Sequence, residues 1–257
     1  MKKKTFLKAV ALMTALIMTF AAWSPAAQAF AASAKKTKTV YVISQITSKS
    51  GSETYKFTYN KNGLVKKMTS GGLMVTYKYD KKKVSSQKQI DEGEKTKISY
   101  SYSKKGRLKK TTQKEADGKK TTTEYNYKSG RLVEIQDNST DNVWTLTYNK
   151  NGLVKKAVIK GKKNSASTVK YSYNSKKDPK KMICSWDVTE KISYTYNKHG
   201  RKTATVKYSF KDKSLNNSEV YTYKYQKISV PASYAKAIKK QQKEMANTPS
   251  AFMFVMD

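Results

Sequence analysis

Apolar and polar residues alternate along this chain with a period of two. The alternation breaks at regular intervals on Asn, Lys and Gly. Tyr55, Phe57 and Tyr59 share one face of such a stretch, and Thr54, Lys56 and Thr58 share the other. Ile98, Tyr100 and Tyr102 stand against Ser99 and Ser101, and Val169, Tyr171 and Tyr173 against Lys170 and Ser172. Ile192, Tyr194 and Tyr196 stand against Ser193 and Thr195. Alternation of this kind predicts half-buried β-strands. Tyr and β-branched Thr suit the pleated surface of a sheet.

Each stretch runs into a turn. Asn60-Lys61-Asn62-Gly63, Ser103-Lys104-Lys105-Gly106 and Asn197-Lys198-His199-Gly200 end in the residue that most easily takes positive φ. Four residues ending in Gly predict a type I turn closed by a left-handed Gly bulge. A second strand follows, as in Leu64–Met68, Leu108–Thr111 and Leu132–Ile135. Its alternation is weaker and does not fix an inward face. Longer polar loops are expected at Asp91–Lys95, Glu115–Lys119, Asp137–Asn142 and Gly161–Ala166. Val40–Ile43 reads as an opening strand.

The unit recurs. The final Tyr of the first strand falls at positions 59, 79, 102, 127, 148, 173, 196 and 225, in steps of 20 to 29 residues. Self-similarity at such a period marks a repeat architecture. The fold class is therefore all-β: antiparallel hairpins, about sixteen strands, with a short C-terminal helix. Open twisted sheets of more than about ten strands curl. A strongly curled meander, a spiral or a closed barrel is expected, with the Tyr ladder inside the curve.

The recurring phrase resembles the YD repeat of the Rhs family, whose pattern runs Tyr-Asp-x-x-Gly-Arg-Leu. The matching segments are Tyr102–Leu108, Tyr127–Leu132 (one residue short) and Tyr196–Arg201, within a region covering roughly residues 40–228. Asp survives in its slot only at Asp80 and is usually Asn. The resemblance implies the hairpin fold. In large relatives such hairpins enclose a toxin cargo, but the copies here are too few for encapsulation to be expected.

The ends differ from the repeats. A basic Met1–Lys4, an apolar Phe6–Trp23 and small residues at Ala27–Ala29 read as an export signal over residues 1–29, with cleavage placed between 29 and 34. Residues 35–228 form the repeat domain, and 229–257 a basic amphipathic helix with an apolar tail. Val230, Tyr234, Ile238 and Met245 fall near helical spacing over 231–246, with Ser229 as the expected N-cap. Two roles fit this helix: a cap on the end of the sheet, or a peripheral contact with a membrane surface.

Charge then changes the picture. The chain carries 53 Lys and Arg against 18 Asp and Glu, a formal +35. Removing the signal takes four lysines and no acid, leaving about +31. An exported protein this basic is expected to hold polyanions: teichoic acid, acidic polysaccharide or nucleic acid. Lys56, Lys66, Lys67, Lys109, Lys110, Lys155, Lys156, Lys170, Lys239 and Lys240 are the candidate contacts. The competing reading of the lysines is solubility and protection of sheet edges.

Catalytic chemistry finds little support. His199 is the single histidine and sits in a turn slot that Asn62 and Asn151 fill elsewhere. Cys184 is the single cysteine, so it forms no internal disulfide and reads as a buried thiol. No His/Cys set has zinc spacing. Asp137, Asn138 and Asp141 make an oxygen-rich loop without the spacing of a calcium loop. The expectation is a non-enzymatic protein without cofactors, secreted or held at the cell wall or envelope, that adheres to anionic polymer. The alternatives are a membrane-associated barrel or pore, and an enzyme acting on wall polymer through carboxylates.

Overall fold

A computed structural model describes residues 36–161, 166–210 and 216–247. The export signal and the apolar tail lie outside these residues, as does most of the 161–166 loop. Sixteen strands follow one another: β1 (Thr37–Ser48), β2 (Thr54–Tyr59), β3 (Val65–Ser70), β4 (Leu73–Asp80), β5 (Lys83–Asp91), β6 (Glu94–Tyr102), β7 (Leu108–Lys114) and β8 (Lys120–Lys128). The second half is β9 (Arg131–Asp137), β10 (Asn142–Tyr148), β11 (Val154–Lys160), β12 (Ala166–Tyr173), β13 (Pro179–Cys184), β14 (Val188–Asn197), β15 (Gly200–Phe210) and β16 (Asn216–Pro231). Each pairs antiparallel with its neighbour in sequence, and β1 pairs with β16, so the sheet closes into a barrel. Of the three shapes expected, the barrel is the one adopted.

The Tyr ladder faces inward. Tyr77, Tyr100, Tyr125, Tyr171, Tyr221 and Tyr223 are at most 8% exposed and join Ile46, Phe57, Met68, Ile98, Leu146 and Val206 in one continuous apolar cluster. Side chains facing a water-filled lumen would be wet, so the interior is packed. Burying these side chains is the main driving force for the curl, at roughly 1.5–3 kcal/mol for each large apolar group.

The weak alternation of the second strands has a structural cause. The buried residues there are spaced by three: Val65 and Met68, Leu108 and Thr111, Leu132 and Ile135, Val154 and Ala157, Pro179 and Met182, Arg201 and Ala204. A one-residue bulge lies in each gap, at Lys66, Lys109, Val133, Lys155, Lys180 and Lys202. Ser44 and Ser85 occupy the same place in β1 and β5. A bulge sets two residues opposite one and bends the strand. Two consecutive residues therefore stand outside the core, which is why Lys-Lys pairs recur without breaking the fold.

The Tyr hydroxyls pin these bulges. Tyr79 donates to the Val65 carbonyl, Tyr102 to Val84, Tyr173 to Val154 and Tyr225 to Arg201, at 2.8 to 2.9 Å. Tyr59 and Tyr148 make the same bond to Ile43 and Leu132. At these six places a hairpin locks the carbonyl that precedes its neighbour's bulge, satisfying an acceptor the disturbed ladder leaves available. The Arg of the Gly-Arg-Leu phrase lies over the next copy's Tyr ring: Arg107 over Tyr127 and Arg131 over Tyr148, at 5.5 and 5.7 Å from the ring centres.

The turns correct part of the expectation. Asn60–Gly63 and Ser103–Gly106 form four-residue turns with Gly63 and Gly106 at φ +79° and +81°. Asn197 instead pairs directly with Gly200, leaving a two-residue turn. Asp91 pairs with Glu94, so the loop expected at Asp91–Lys95 is a tight turn on Glu92 and Gly93, both at positive φ.

The helix α1 (Ala235–Met245) lies at the rim on the hairpin-turn side. It begins later than expected. Ser229 pairs with Thr39 inside the barrel seam and is not its N-cap, because β16 continues to Pro231. Ile238 packs with Val42, Leu64 and Val230 in a second, smaller cluster.

Candidate functional site

The outward rows of the wall are mostly polar, with Ile183 exposed among them and Met74 registered against Ile90. Lys56, Lys66, Lys109, Lys155, Lys170 and Lys239 are exposed, and Lys67, Lys110, Lys156 and Lys240 are half-buried. Five of the eight bulge positions are Lys, and all five are exposed. The expected candidates fall into two groups. Lys66 with Lys67, Lys109 with Lys110 and Lys155 with Lys156 flank bulges and stand along one level of the wall. Lys56 and Lys170 are ordinary outward strand positions, and Lys239 and Lys240 ride on α1. Lys110 is engaged at 3.5 Å with Glu124 on the adjacent strand. That contact is solvent-exposed, and such pairs contribute little.

Closure removes one reading of the lysines. A barrel has no free edge, since β1 and β16 pair along eleven registered positions. Edge protection therefore does not account for lysine on the wall. Among the described residues, Tyr41, Ile183 and Trp186 are the large apolar side chains left exposed. They form no belt of the kind that faces lipid on a membrane barrel.

The helical cap is a built polar joint. Gln241 accepts from the Val65 backbone N–H at 2.9 Å and donates to the Tyr79 hydroxyl at 2.9 Å. Gln242 accepts from the Ile43 N–H at 2.6 Å and donates to the Tyr59 hydroxyl at 3.2 Å. Arg201 donates to the Ala246 carbonyl at the helix C-terminus and to Asp178, each at 2.6 Å, and Tyr223 donates to the same carbonyl at 2.8 Å. The apolar stripe of the helix is used here, with Ile238 and Met245 1% exposed. Lys236, Lys239 and Lys243 point to solvent. The geometry is that of an end cap.

Sequence reasoning missed Arg201 and Asp178. It placed Arg201 in the Arg slot of the repeat, where it would lie on a ring near the surface. The shortened turn moves Arg201 into the inward Leu slot, opposite Tyr196. An Arg in the column Val65, Val84, Leu108, Leu132, Val154, Pro179 was the available signal. In this copy Tyr194, not Tyr196, takes the carbonyl bond, to Pro179, while Tyr196 donates to Asp178 at 2.7 Å. Asp178, Glu190 and Glu244 are buried acids. Glu244 has neither oxygen hydrogen-bonded, and burial pushes its carboxyl up to about 8.

The remaining chemical candidates are structural. Cys184 is buried, and its thiol is pushed up to about 12 by burial and by Glu190. Its side chain is therefore a poor nucleophile. His199 stacks on Tyr41 at 3.8 Å, and its backbone N–H donates to Asn197 Oδ1 within the turn. Asp137 spends both carboxylate oxygens on Ser139 and Thr140 of its own turn. Among the described residues no three His, Cys, Asp or Glu side chains gather as a metal site, and no helix is long and apolar enough to cross a membrane.

No protein-family model matches the chain, and no curated protein matches it. Solved structures do. The barrel is similar to a porin-like protein from Bacteroides uniformis, with a TM-score of 0.53 at 12% identity over 72% of this chain and 96% of that one. A porin-like protein from Bacteroides vulgatus aligns with a TM-score of 0.33 at 10% identity, over 72% and 99%. The TcdB2-TccC3 complex aligns with a TM-score of 0.35 at 11% identity, over 65% of this chain and 11% of that one. At these identities the first likeness concerns the fold: a closed, porin-like barrel.

Proposed function

We infer that this chain is an envelope-associated barrel that adheres to anionic polymer through its lysine-covered wall. One observation carries the reading: the sheet is closed, so the outward lysines have no edge to guard, yet they dominate a wall with few acids. The export signal read in the sequence places such a protein among anionic envelope polymers. The packed interior and the structural settings of Cys184 and His199 fit a binding role without catalysis. Purified protein lacking residues 1–34 should bind anionic envelope polymer at 20 mM salt and release it by about 500 mM, as contacts screened over a Debye length do. Binding that ignores salt, or no binding at 20 mM, overturns this reading.

The porin-like likeness favours a second reading, a membrane-associated barrel. Lipid insertion would require lipid to meet rows of Lys, Ser and Thr, where a spanning barrel carries an apolar band. Extraction of cell envelopes separates the two. A peripheral barrel leaves with high salt, and an inserted one leaves only with detergent.

A further inference from the structure

One outward row differs from the rest of the wall. Lys67 of β3 registers with Thr76 of β4, Thr76 with Lys88 of β5, Lys88 with Lys97 of β6, Lys97 with Lys114 of β7, and Lys114 with Lys120 of β8. Four consecutive strands thus present Lys directly opposite Lys. Strands lie about 4.8 Å apart, so Lys88 to Lys120 span roughly 15 Å. Like charges directly opposite one another destabilise a sheet. Lys88, Lys97, Lys114 and Lys120 are exposed. Among the described residues none of the four has a carboxylate recorded within ion-pair distance.

The row crosses a groove of about 480 Å³ on the outer wall. Lys78 and Lys95 add charge to its walls, and Thr76 and Ser86 add hydroxyls. Glu115 stands in the groove as its one acid, 3.5 Å from Gln113 Nε2. No aromatic side chain lines it. Bases of single-stranded nucleic acid and sugar rings are held by stacking on aromatic faces, which this groove does not offer. Lys and hydroxyl groups are the donors that hold phosphate oxygens without reading bases.

The geometry points to this groove as the docking track for a linear phosphodiester polymer without bases, a polyol-phosphate chain lying across β4 to β8. The inference rests on the polyanion reading above and localises it. The polymer supplies the negative charges the row lacks, and its backbone runs perpendicular to the strands. Of the ten lysines singled out from the sequence only Lys67 touches this row, at its β3 end, and Lys78, Lys88, Lys95, Lys97, Lys114 and Lys120 were not among them, because cross-strand register is not visible in a linear pattern.

The test compares two quadruple variants with equal charge change in the protein lacking residues 1–34. One replaces Lys88, Lys97, Lys114 and Lys120 by Gln. The other replaces Lys155, Lys170, Lys180 and Lys202 by Gln. The probes are a synthetic glycerol-phosphate oligomer of about ten units, poly(dT) and polygalacturonate. The row variant should lose at least tenfold in affinity for the glycerol-phosphate oligomer. Its logarithmic salt slope should fall by about one per phosphate contact removed. The other variant should lose less than threefold. Equal losses in both overturn the track and leave distributed adhesion standing. Tighter binding of poly(dT) or polygalacturonate than of the oligomer overturns the assigned polymer. No binding of any probe by the unmodified protein overturns the adhesion reading and the track with it. Lys97→Glu is the second variant, expected to weaken binding at least fivefold by opposing the polymer at the middle of the row. An unchanged affinity in this variant also overturns the track.

Discussion

Two turn glycines with the same backbone conformation should respond differently to a single methyl group. Gly63 and Gly118 have φ of +79° and +89°. A Cβ on Gly118 would meet nothing within 4 Å, whereas one on Gly63 would stand 2.5 Å from Val230 Cγ1 and 2.7 Å from Ile238 Cδ1. Left-handed backbone alone costs an alanine about 1–2 kcal/mol. Gly118→Ala should lower the unfolding free energy by about that amount. Gly63→Ala should cost at least twice as much, because the side chain must also push the seam and the cap apart. Urea denaturation of both variants checks this, and equal losses would show that α1 does not press on the turn. A pH effect belongs to the same scale. Glu244 ordinarily titrates near 4.5 and is raised to about 8 by burial, with Lys240 acting weakly in the opposite sense. Between those values the unfolded chain gives up a proton that the folded chain keeps. Stability therefore falls as pH rises through this window, by up to about 1.4 kcal/mol per pH unit, and levels off on either side. Glu244→Gln should match the parent near pH 4.5 and be more stable at pH 8, by thermal melts across the range.

At the scale of the element, first strands were legible and second strands were not. Tyr55, Phe57 and Tyr59 alternate cleanly because their strand is regular up to the turn, so period two assigns their inward face. Val65 and Met68 are three apart because the bulge at Lys66 inserts a residue, and a period-two search reads that as noise. The same slip hid Arg201, whose slot is fixed only once the two-residue turn is known. The cap was readable from Ile238 and Met245, but its partners Ile43, Val65 and Arg201 come from distant strands and leave no trace in local spacing. The joint makes a sharp prediction. Arg201 and Asp178 pair at side-chain exposures of 5% and 10%. Removing one partner of a buried pair strands the other charge, at about 3–5 kcal/mol, while replacing both by apolar groups is often tolerated. Asp178→Asn should destabilise the protein by roughly that amount, and adding Arg201→Met should recover most of it. If the double variant is as unstable as the single one, the pair's bonds to Ala246 and Tyr196 matter more than its charge balance.

At the scale of the whole molecule, the closed sheet and the charge act against one another. Closure makes every strand depend on its two neighbours, so no hairpin can leave without opening the ring. The formal charge of +35 over the full chain, about +31 without the export signal, sits mostly on the outside of that ring. Like charges on a compact body repel and favour expansion. Lys110–Glu124 is exposed and offsets little of this, and Arg201–Asp178 is buried at the cap, away from the wall. Added salt shortens the Debye length from about 30 Å at 0.01 M to about 10 Å at 0.1 M, below the reach of interactions across the wall. The melting temperature of the protein lacking residues 1–34 should therefore rise between 10 mM and 200 mM sodium chloride, the reverse of a fold held by surface ion pairs. The quadruple Lys→Gln change at positions 88, 97, 114 and 120 removes repulsion where it is densest. It should raise the melting temperature at 10 mM salt and shrink the gain from added salt more than the same change at 155, 170, 180 and 202. A melting temperature that falls with salt would mean that attractive pairs, not repulsion, govern the wall, and the row would then cost the fold nothing.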